Sequence, residues 1–233
     1  MALPSEAPQL DPETSRHDLR WIRPPRQART HQSLERLLDI AEAMLQERDF
    51  DAIHVSELAS RAETSVAAFY RRFKDKDALL HALHERHCEE AYATADDALE
   101  ASRWEGANVS DILHTIFPFL VNILHSNEHL DRAILQRVVT DEAMRERQMQ
   151  LSRYVVSGIT KLLLSRGEEI RHPDPELAAS MGFLMLLAML RELVLFNDST
   201  ASALQLDDHT IESELIRAYL RYLGSPEGEK ERA

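Results

Sequence analysis

Most of the chain distributes its apolar residues with the period of an α-helix. Between residues 34 and 45 they recur at spacings of three and four, which places them on one face of a helix. They are Leu34, Leu37, Leu38, Ala41, Met44 and Leu45. This pattern predicts a first helix that ends near Arg48. Strand-length alternation does not stand out elsewhere, and six glycines among 233 residues leave few tight turns, so the sequence predicts an all-α fold.

Two short helices are predicted next, over residues 55–62 and 66–73, with a turn at residues 63–65. Ser65 is placed to cap the second of them. Two short helices joined by a tight turn, after a longer helix, are typical of a helix-turn-helix, whose second helix enters the major groove of DNA.

A long fourth helix is predicted from Lys76 to about Ala101, with Asp75 as its N-cap. Pro118 lies inside the fifth helix and should kink it. Asp174 or Pro175 should begin the eighth helix. The remaining predicted helices cover residues 109–125, 128–138, 141–166, 174–197 and 209–223.

The net charge of −13 would by itself disfavour a nucleic-acid partner. The charge is uneven, because residues 1–85 hold 12 Lys/Arg and 15 Asp/Glu, a net of −3. Residues 16–34 carry five arginines against one aspartate, and residues 61–76 form a second basic patch. Two basic patches on an acidic molecule indicate a protein that presents one face to DNA.

The third predicted helix carries the residue types that DNA contact requires. Ala67 and Ala68 are small enough for the backbone to approach the groove. The other side chains expected to face outward are Tyr70, Arg71, Lys74 and Lys76. A phenol hydroxyl and cations in these positions can meet phosphate oxygens.

The motif that carries these residues is long. It reads Phe50-Asp51-Ala52, Val55-Ser56-Glu57-Leu58-Ala59, Arg61-Ala62, Ser65, Phe69-Tyr70-Arg71-Arg72-Phe73 and Lys76-Asp77-Ala78-Leu79. Over roughly residues 29–83 the chain resembles the DNA-binding segment of the tetracycline-repressor (TetR) family. The resemblance implies an all-helical homodimer that binds operator DNA through its first three helices and a small effector through its larger remainder. It implies that the DNA-facing residues are Ser65, Val66, Ala67, Tyr70, Arg71 and Lys76, with His54 as a further candidate.

The chain departs from the family pattern in and before the turn. Glu63 stands where the family usually carries glycine, Thr64 where it carries an aliphatic residue, and His54 where it carries threonine. The loss of glycine would be absorbed if residue 63 takes a less strained turn conformation than the one that favours glycine.

The predicted domains are a flexible arm (1–28), the DNA-binding domain (29–75), an effector-binding and dimerisation domain (76–224) and a tail (225–233). The arm contains five prolines. Its arginines are either ordinary solvated residues or reach into the adjacent minor groove. They are Arg16, Arg20, Arg23, Arg26 and Arg29.

The effector and the dimer depend on apolar residues of the second half. The candidate pocket residues are Phe117, Leu120, Val138, Tyr154, Met185 and Met189, and plain core is the favoured alternative for each. The helices near 175–196 and 211–223 are expected to pair with their symmetry mates. Such a dimer spaces two recognition helices about one DNA turn, ~34 Å, apart and would read a palindrome.

Two alternatives to a ligand-responsive repressor remain open. His81, His84 and Cys88 share one face of the fourth helix and could bind a metal ion or sense thiol oxidation. A helical interaction protein that has lost DNA binding is the other alternative. The sequence offers no nucleophile elbow or phosphate-binding glycine loop, so we expect no enzyme and no cofactor. The longest apolar run, Met181–Leu190, is shorter than the roughly 20 residues of a spanning helix, which predicts a soluble, cytoplasmic protein.

Overall fold

The computed structural model describes residues 28–195 and 208–225, and every regular element in these two ranges is helical. The prediction of an all-α fold is confirmed. The α-helices are α1 (Ala28–Leu45), α2 (Val55–Arg61), α3 (Val66–Arg72), α4 (Lys76–Ala98), α5 (Val109–Ser126), α6 (Glu128–Val138), α7 (Glu142–Leu164), α8 (Pro175–Leu195) and α9 (Asp208–Leu223). Short 3-10 turns lie at Phe50–Ala52, Ala101–Trp104 and Gly167–Glu169.

The helix starts follow the predicted caps. The Ser65 hydroxyl accepts a hydrogen bond from the Ala68 amide over 3.1 Å, and the Asp75 carboxylate accepts one from Ala78 over 2.8 Å. Asp174 caps α8 by accepting from the Leu177 amide over 3.0 Å. These bonds satisfy amides that lack a partner within the first helical turn. The α5 helix continues through Pro118, and the kink expected there stays a prediction.

The apolar core has two parts. The first joins α1, α2, α3 and the start of α4, and it also takes in Leu130 and Ile134 of α6 and Met144 of α7. The second joins α5, the end of α7, α8 and α9. Because α4 and α6 contribute to the first core, the helix-turn-helix rests directly on the remainder of the chain. The domain boundary at residue 75 stays a prediction, and the first core continues across it.

Helices α8 and α9 approach each other closely at Gly182. A Cβ atom at this position would overlap with the buried ring of Tyr219, whose hydroxyl donates a hydrogen bond to the Ala179 carbonyl. A glycine is therefore required where the two helices cross. Gly182 lies in the apolar run Met181–Leu190, in which Phe183, Leu186 and Leu190 are also buried.

By length and composition alone, α5 is long and apolar enough to cross a membrane, with a mean hydropathy of 1.2 over its 18 residues. Counting uninterrupted apolar runs did not single out this helix, because His114, Pro118 and Asn122 interrupt it. In the fold, its apolar face packs into the second core through residues such as Ile112 and Phe117.

Candidate DNA-binding surface and ligand cavity

Helix α3 is held by aromatic packing on its inner side. Phe69 and Phe73 are fully buried in the same core as Leu58 and α1. Their ring centroids lie 5.1 Å apart. Tyr70 packs edge-on against Phe69 at 5.2 Å while 51% of its surface stays exposed. The buried pair fixes the rotation of α3, and this rotation decides which side chains face outward.

The outer side of α3 carries the residues predicted to contact DNA. We define the α3 surface as its exposed members, which are Ser65, Val66, Ala67, Tyr70, Arg71 and Lys74. His54 is also exposed, at the N-cap of α2, where its side chain makes no capping hydrogen bond. The geometry agrees with a recognition helix, and contact with DNA by each of these residues stays a prediction.

Fewer cations of the basic patch at residues 61–76 are available to a partner than the sequence suggests. Arg61 forms ion pairs with Glu57 at 2.9 Å and Glu47 at 3.3 Å. Lys76 donates to the Asp51 carbonyl over 3.1 Å and lies 4.5 Å from the centre of the Phe50 ring. Both cations are therefore engaged within the protein, and Lys76 is only half-buried rather than free on the surface.

Arg72 differs from its exposed neighbour Arg71. Its Nη1 is buried and finds no hydrogen-bond partner among the described residues. Burial lowers the pKa of Arg72. In the described part of the chain, Arg71 and Lys74 are thus the two cations of the patch that are exposed and make no ion pair with a protein carboxylate.

The turn between α2 and α3 does not relax to absorb the replacement of glycine by Glu63. Its φ of 52° lies in the left-handed region, which residues with a Cβ enter only at a cost. The turn therefore keeps the backbone shape that favours glycine and does not take the less strained conformation. The Glu63 carboxylate is turned toward α1, where Arg36 Nη1 donates to it over 2.8 Å.

The arginine-containing arm lies almost entirely outside the described residues. Arg16, Arg20, Arg23 and Arg26 precede Ala28, and nothing is described of the Arg29 side chain. The minor-groove interpretation of the arm stays a prediction.

His81, His84 and Cys88 each have surroundings that explain their burial. His81 Nε2 bonds to Asp141 at 2.8 Å. His84 lies between Gln148 and Arg147, each 3.2 Å away, and burial together with the Arg147 charge lowers its pKa to about 3. No group of three or more potential ligands is positioned for a metal ion in residues 28–195 and 208–225.

Cys88 is buried as well, and burial raises the pKa of its thiol to about 12. A thiol with this pKa stays protonated and unreactive near neutral pH. These surroundings favour a core role for the cluster and disfavour the metal- or thiol-sensing alternative.

A cavity of about 380 Å³ lies between α4, α5, α6, α7 and α8. This volume is typical of a site for a small organic molecule. Most of its wall is apolar, including Ile116, Leu120, Ile134 and Leu187. The polar members of the wall are His87, Glu90, Thr94, Asn127, Asp131, Gln148, Ser152 and Arg191.

Of the six residues predicted to line a pocket, only Leu120 lines this cavity. Phe117 is buried in the second core, and Val138 packs against the first. Tyr154 is exposed and donates a hydrogen bond to Asp96. Met185 and Met189 lie on the exposed side of α8. Helical periodicity identified apolar faces correctly but did not show which face of each helix borders the empty space.

Arg191 is the cavity residue that sequence analysis missed. A usable signal was present, because Phe183, Leu187 and Arg191 follow one another at spacings of four and share a helix face. All three line the cavity.

Helix α6 is tied along its length to the segment that precedes α2. His129 and Arg132 bond to the Asp49 carboxylate at 2.7 and 3.0 Å. Arg137 donates to the Asp51 carboxylate over 2.7 Å. The hydrogen bonds from His129 and Arg137 lower the pKa of Asp49 and Asp51, respectively, so both acids are charged near neutral pH. Helix α6 therefore touches both the cavity and the helix-turn-helix.

Comparisons with known proteins agree with this arrangement. Residues 37–83 match the model of the tetR family of bacterial regulatory proteins. The chain is 25% identical over 158 residues to YvkB, an uncharacterized HTH-type transcriptional regulator of Bacillus subtilis (strain 168), with 65% of this chain and 80% of YvkB covered.

Solved structures share the fold. A tetR-family transcriptional regulator from Streptomyces coelicolor superposes with a TM-score of 0.60 at 15% identity, covering 82% of this chain and 80% of that one. A protein from Mesorhizobium loti assigned to the same family gives a TM-score of 0.59 at 19% identity, covering 85% and 96%. The family match identifies residues 37–83 as a DNA-binding segment of the tetR type, and together with the YvkB homologue and the shared fold it supports a transcriptional regulator of the TetR family.

Proposed function

We propose that this regulator is a ligand-responsive repressor that binds a palindromic operator as a homodimer in the cytoplasm. The proposal depends above all on α6. One face of this helix, with Asp131, Ile134 and Leu135, lines the cavity. Another face holds Asp49 and Asp51, directly before α2, through the ion pairs described above.

A molecule that fills the cavity contacts α6 on one face and can displace it. Because the opposite face of α6 is bonded to Asp49 and Asp51, the helix-turn-helix moves with it. Asp51 connects further to α4, because its carbonyl accepts a hydrogen bond from Lys76, the first residue of α4. In a dimer, a small displacement of each helix-turn-helix changes the separation of the two recognition helices. Ligand binding then weakens operator affinity without any contact between ligand and DNA.

The homodimer is supported by an exposed apolar stripe on α8. Leu177, Met181, Leu184, Met185 and Met189 follow one helix face and are each 40–50% exposed. A contiguous exposed apolar stripe typically marks an interface, and the flexible methionines suit a surface that packs against a copy of itself.

Helix α9 offers no comparable stripe among its described side chains. Its apolar residues Ile216, Tyr219 and Leu220 are buried against α5 and α8 of the same chain. We therefore propose that α8 supplies the central contact and that α9 supports it from behind. Of the two helices that the sequence predicts at the interface, α8 would then make most of the contacts between the two chains.

Selection of binding sites from random duplex DNA with the purified full-length chain tests the proposal. The expected result is a palindrome with half-sites about one turn apart, bound by two chains. Failure to enrich any sequence at low salt, both before and after unfolding and refolding to strip bound ligand, would refute operator binding. Enrichment of a single, non-repeated half-site by a monomer would refute the dimer.

Replacing Leu184 with Glu tests the interface independently. The charge lies in the middle of the α8 stripe, so we expect sedimentation to show monomers and the palindrome to be bound more weakly. Glu176→Gln, at the exposed start of the same helix, is the matched control and should remain dimeric.

A further inference from the structure

The cavity is polar at one end and apolar at the other. His87 bonds to Asp131 at 3.3 Å. Gln148 bonds to His84, one helical turn before His87 on α4. Asp131 also acts electrostatically on Arg191. These contacts place the polar groups of α4, α6, α7 and α8 at the same end.

The opposite end is built from Leu99, Ile116, Ile159 and Phe183, which share the second core or pack against it. Arg191 and Phe183 are eight residues apart on α8, which corresponds to about 12 Å along the helix. On α4, His87 and Leu99 are about 18 Å apart. The cavity therefore fits an elongated molecule with one polar end.

Arg191 decides the charge of that end. It lines the cavity, is only partly exposed and forms no ion pair or hydrogen bond with any of the described residues. Burial lowers its pKa, although the neighbouring Asp131 opposes this effect. A guanidinium that has lost water and gained no partner is costly, and the cost is recovered when an anion binds it.

The charges of the two cavity carboxylates, Asp131 and Glu90, are each offset without Arg191, but in different ways. Asp131 is already paired with His87. Burial alone would lower the pKa of His87, but the hydrogen bond and charge of Asp131 raise it, so the pair is largely internally compensated. Glu90 is exposed at the edge of the cavity, where solvent screens its charge. The uncompensated charge at the polar end is thus positive.

Resting on the proposed ligand response, we propose that the effector is an elongated apolar monocarboxylate whose carboxylate binds Arg191. Its apolar body occupies the space between Leu120 and Phe183. Guanidinium and carboxylate are matched for two parallel hydrogen bonds, which an alcohol or an amine cannot supply.

Calorimetry on the full-length protein without DNA tests this ligand class. The probes are decanoate, decan-1-ol and decylamine, each below its micellar concentration. Decanoate should bind most tightly, and Arg191→Met should weaken it roughly 10- to 100-fold while leaving decan-1-ol unchanged. Arg153→Met, which removes an exposed arginine on α7, is the control and should bind decanoate like the wild type.

Arg191→Met should also unfold at a higher temperature than the wild type without ligand, because it removes an uncompensated buried charge. This measurement shows that the variant is folded. Tighter binding of decylamine than of decanoate, or equal decanoate affinity in wild type and Arg191→Met, would overturn the proposal. Absence of decanoate binding would overturn it as well.

The test separates this inference from the proposed function. If decanoate binds through Arg191 but no operator is found, the ligand class stands and the repressor is refuted. If decylamine rather than decanoate releases the operator, the repressor stands and the ligand class is refuted.

Discussion

Because Glu63 has a left-handed backbone conformation, we expect Glu63→Gly to be more stable than Glu63→Ala, the reverse of the usual order. A residue with a Cβ at this φ costs about 1–2 kcal/mol compared with its relaxed conformation, and glycine avoids that cost. Glycine in turn loses about 0.4–1 kcal/mol through the greater freedom of the unfolded chain. Glu63→Ala and Glu63→Gly both remove the exposed ion pair with Arg36, so its small contribution cancels in the comparison. The glycine variant should be more stable than the alanine variant by about 1 kcal/mol.

Urea denaturation followed by circular dichroism measures this difference, which corresponds to about 2–4 °C in Tm for a chain of this size. Glu146, an exposed residue inside α7, is the matched control. At this helical position Glu146→Ala should be more stable than Glu146→Gly, since alanine favours the helix over glycine by about 1 kcal/mol. Equal stability of the two Glu63 variants, or a more stable alanine variant, would refute the conclusion that this turn retains a glycine-type backbone.

Three further predictions concern buried groups. The pKa of His84 falls from 6.5 to about 3 on folding, so the unfolded chain takes up the proton first as the pH is lowered. The free energy of unfolding should therefore decrease as the pH falls below about 6.5. In urea titrations at successive pH values, His84→Gln should show a weaker dependence of this free energy on pH. Gly182→Ala should destabilise by about 1–3 kcal/mol by forcing Tyr219 aside, whereas Gly167→Ala, which meets no neighbouring atom, should be nearly neutral in the same thermal scan. Cys88 should resist iodoacetamide in the folded protein and react after unfolding, and rapid labelling of native protein would contradict its burial.

The helices could be predicted from the sequence because their signals are local. Periodic apolar positions set the faces, and Ser65, Asp75 and Asp174 mark the starts through short-range hydrogen bonds with the next turn. The orientation of α3 is also encoded locally, because Phe69 and Phe73 are spaced i, i+4 and therefore share one face of the helix. Resemblance to a known family then placed this segment in a DNA-binding role.

The cavity could not be predicted in the same way, because it depends on how separate helices meet. Met185 and Met189 are apolar and periodic, yet they lie on the outer side of α8, while Phe183 and Leu187 of the same helix border the cavity. The pairing of Arg61 with Glu47, 14 positions away, is likewise invisible to counts of local charge. Long-range packing decides which cations remain available to a partner.

The most direct test of the central claim, that the α3 surface binds DNA, is the salt dependence of affinity for the selected duplex. Arg71→Ala should bind at least about tenfold more weakly at moderate salt and reduce the slope of log affinity against log salt by about 1.8, since the dimer loses one phosphate contact in each half-site. Arg145→Ala, on the exposed side of α7, should match the wild type in both quantities. Unchanged affinity and slope for Arg71→Ala together with Tyr70→Phe would contradict the assignment of α3 as the recognition helix.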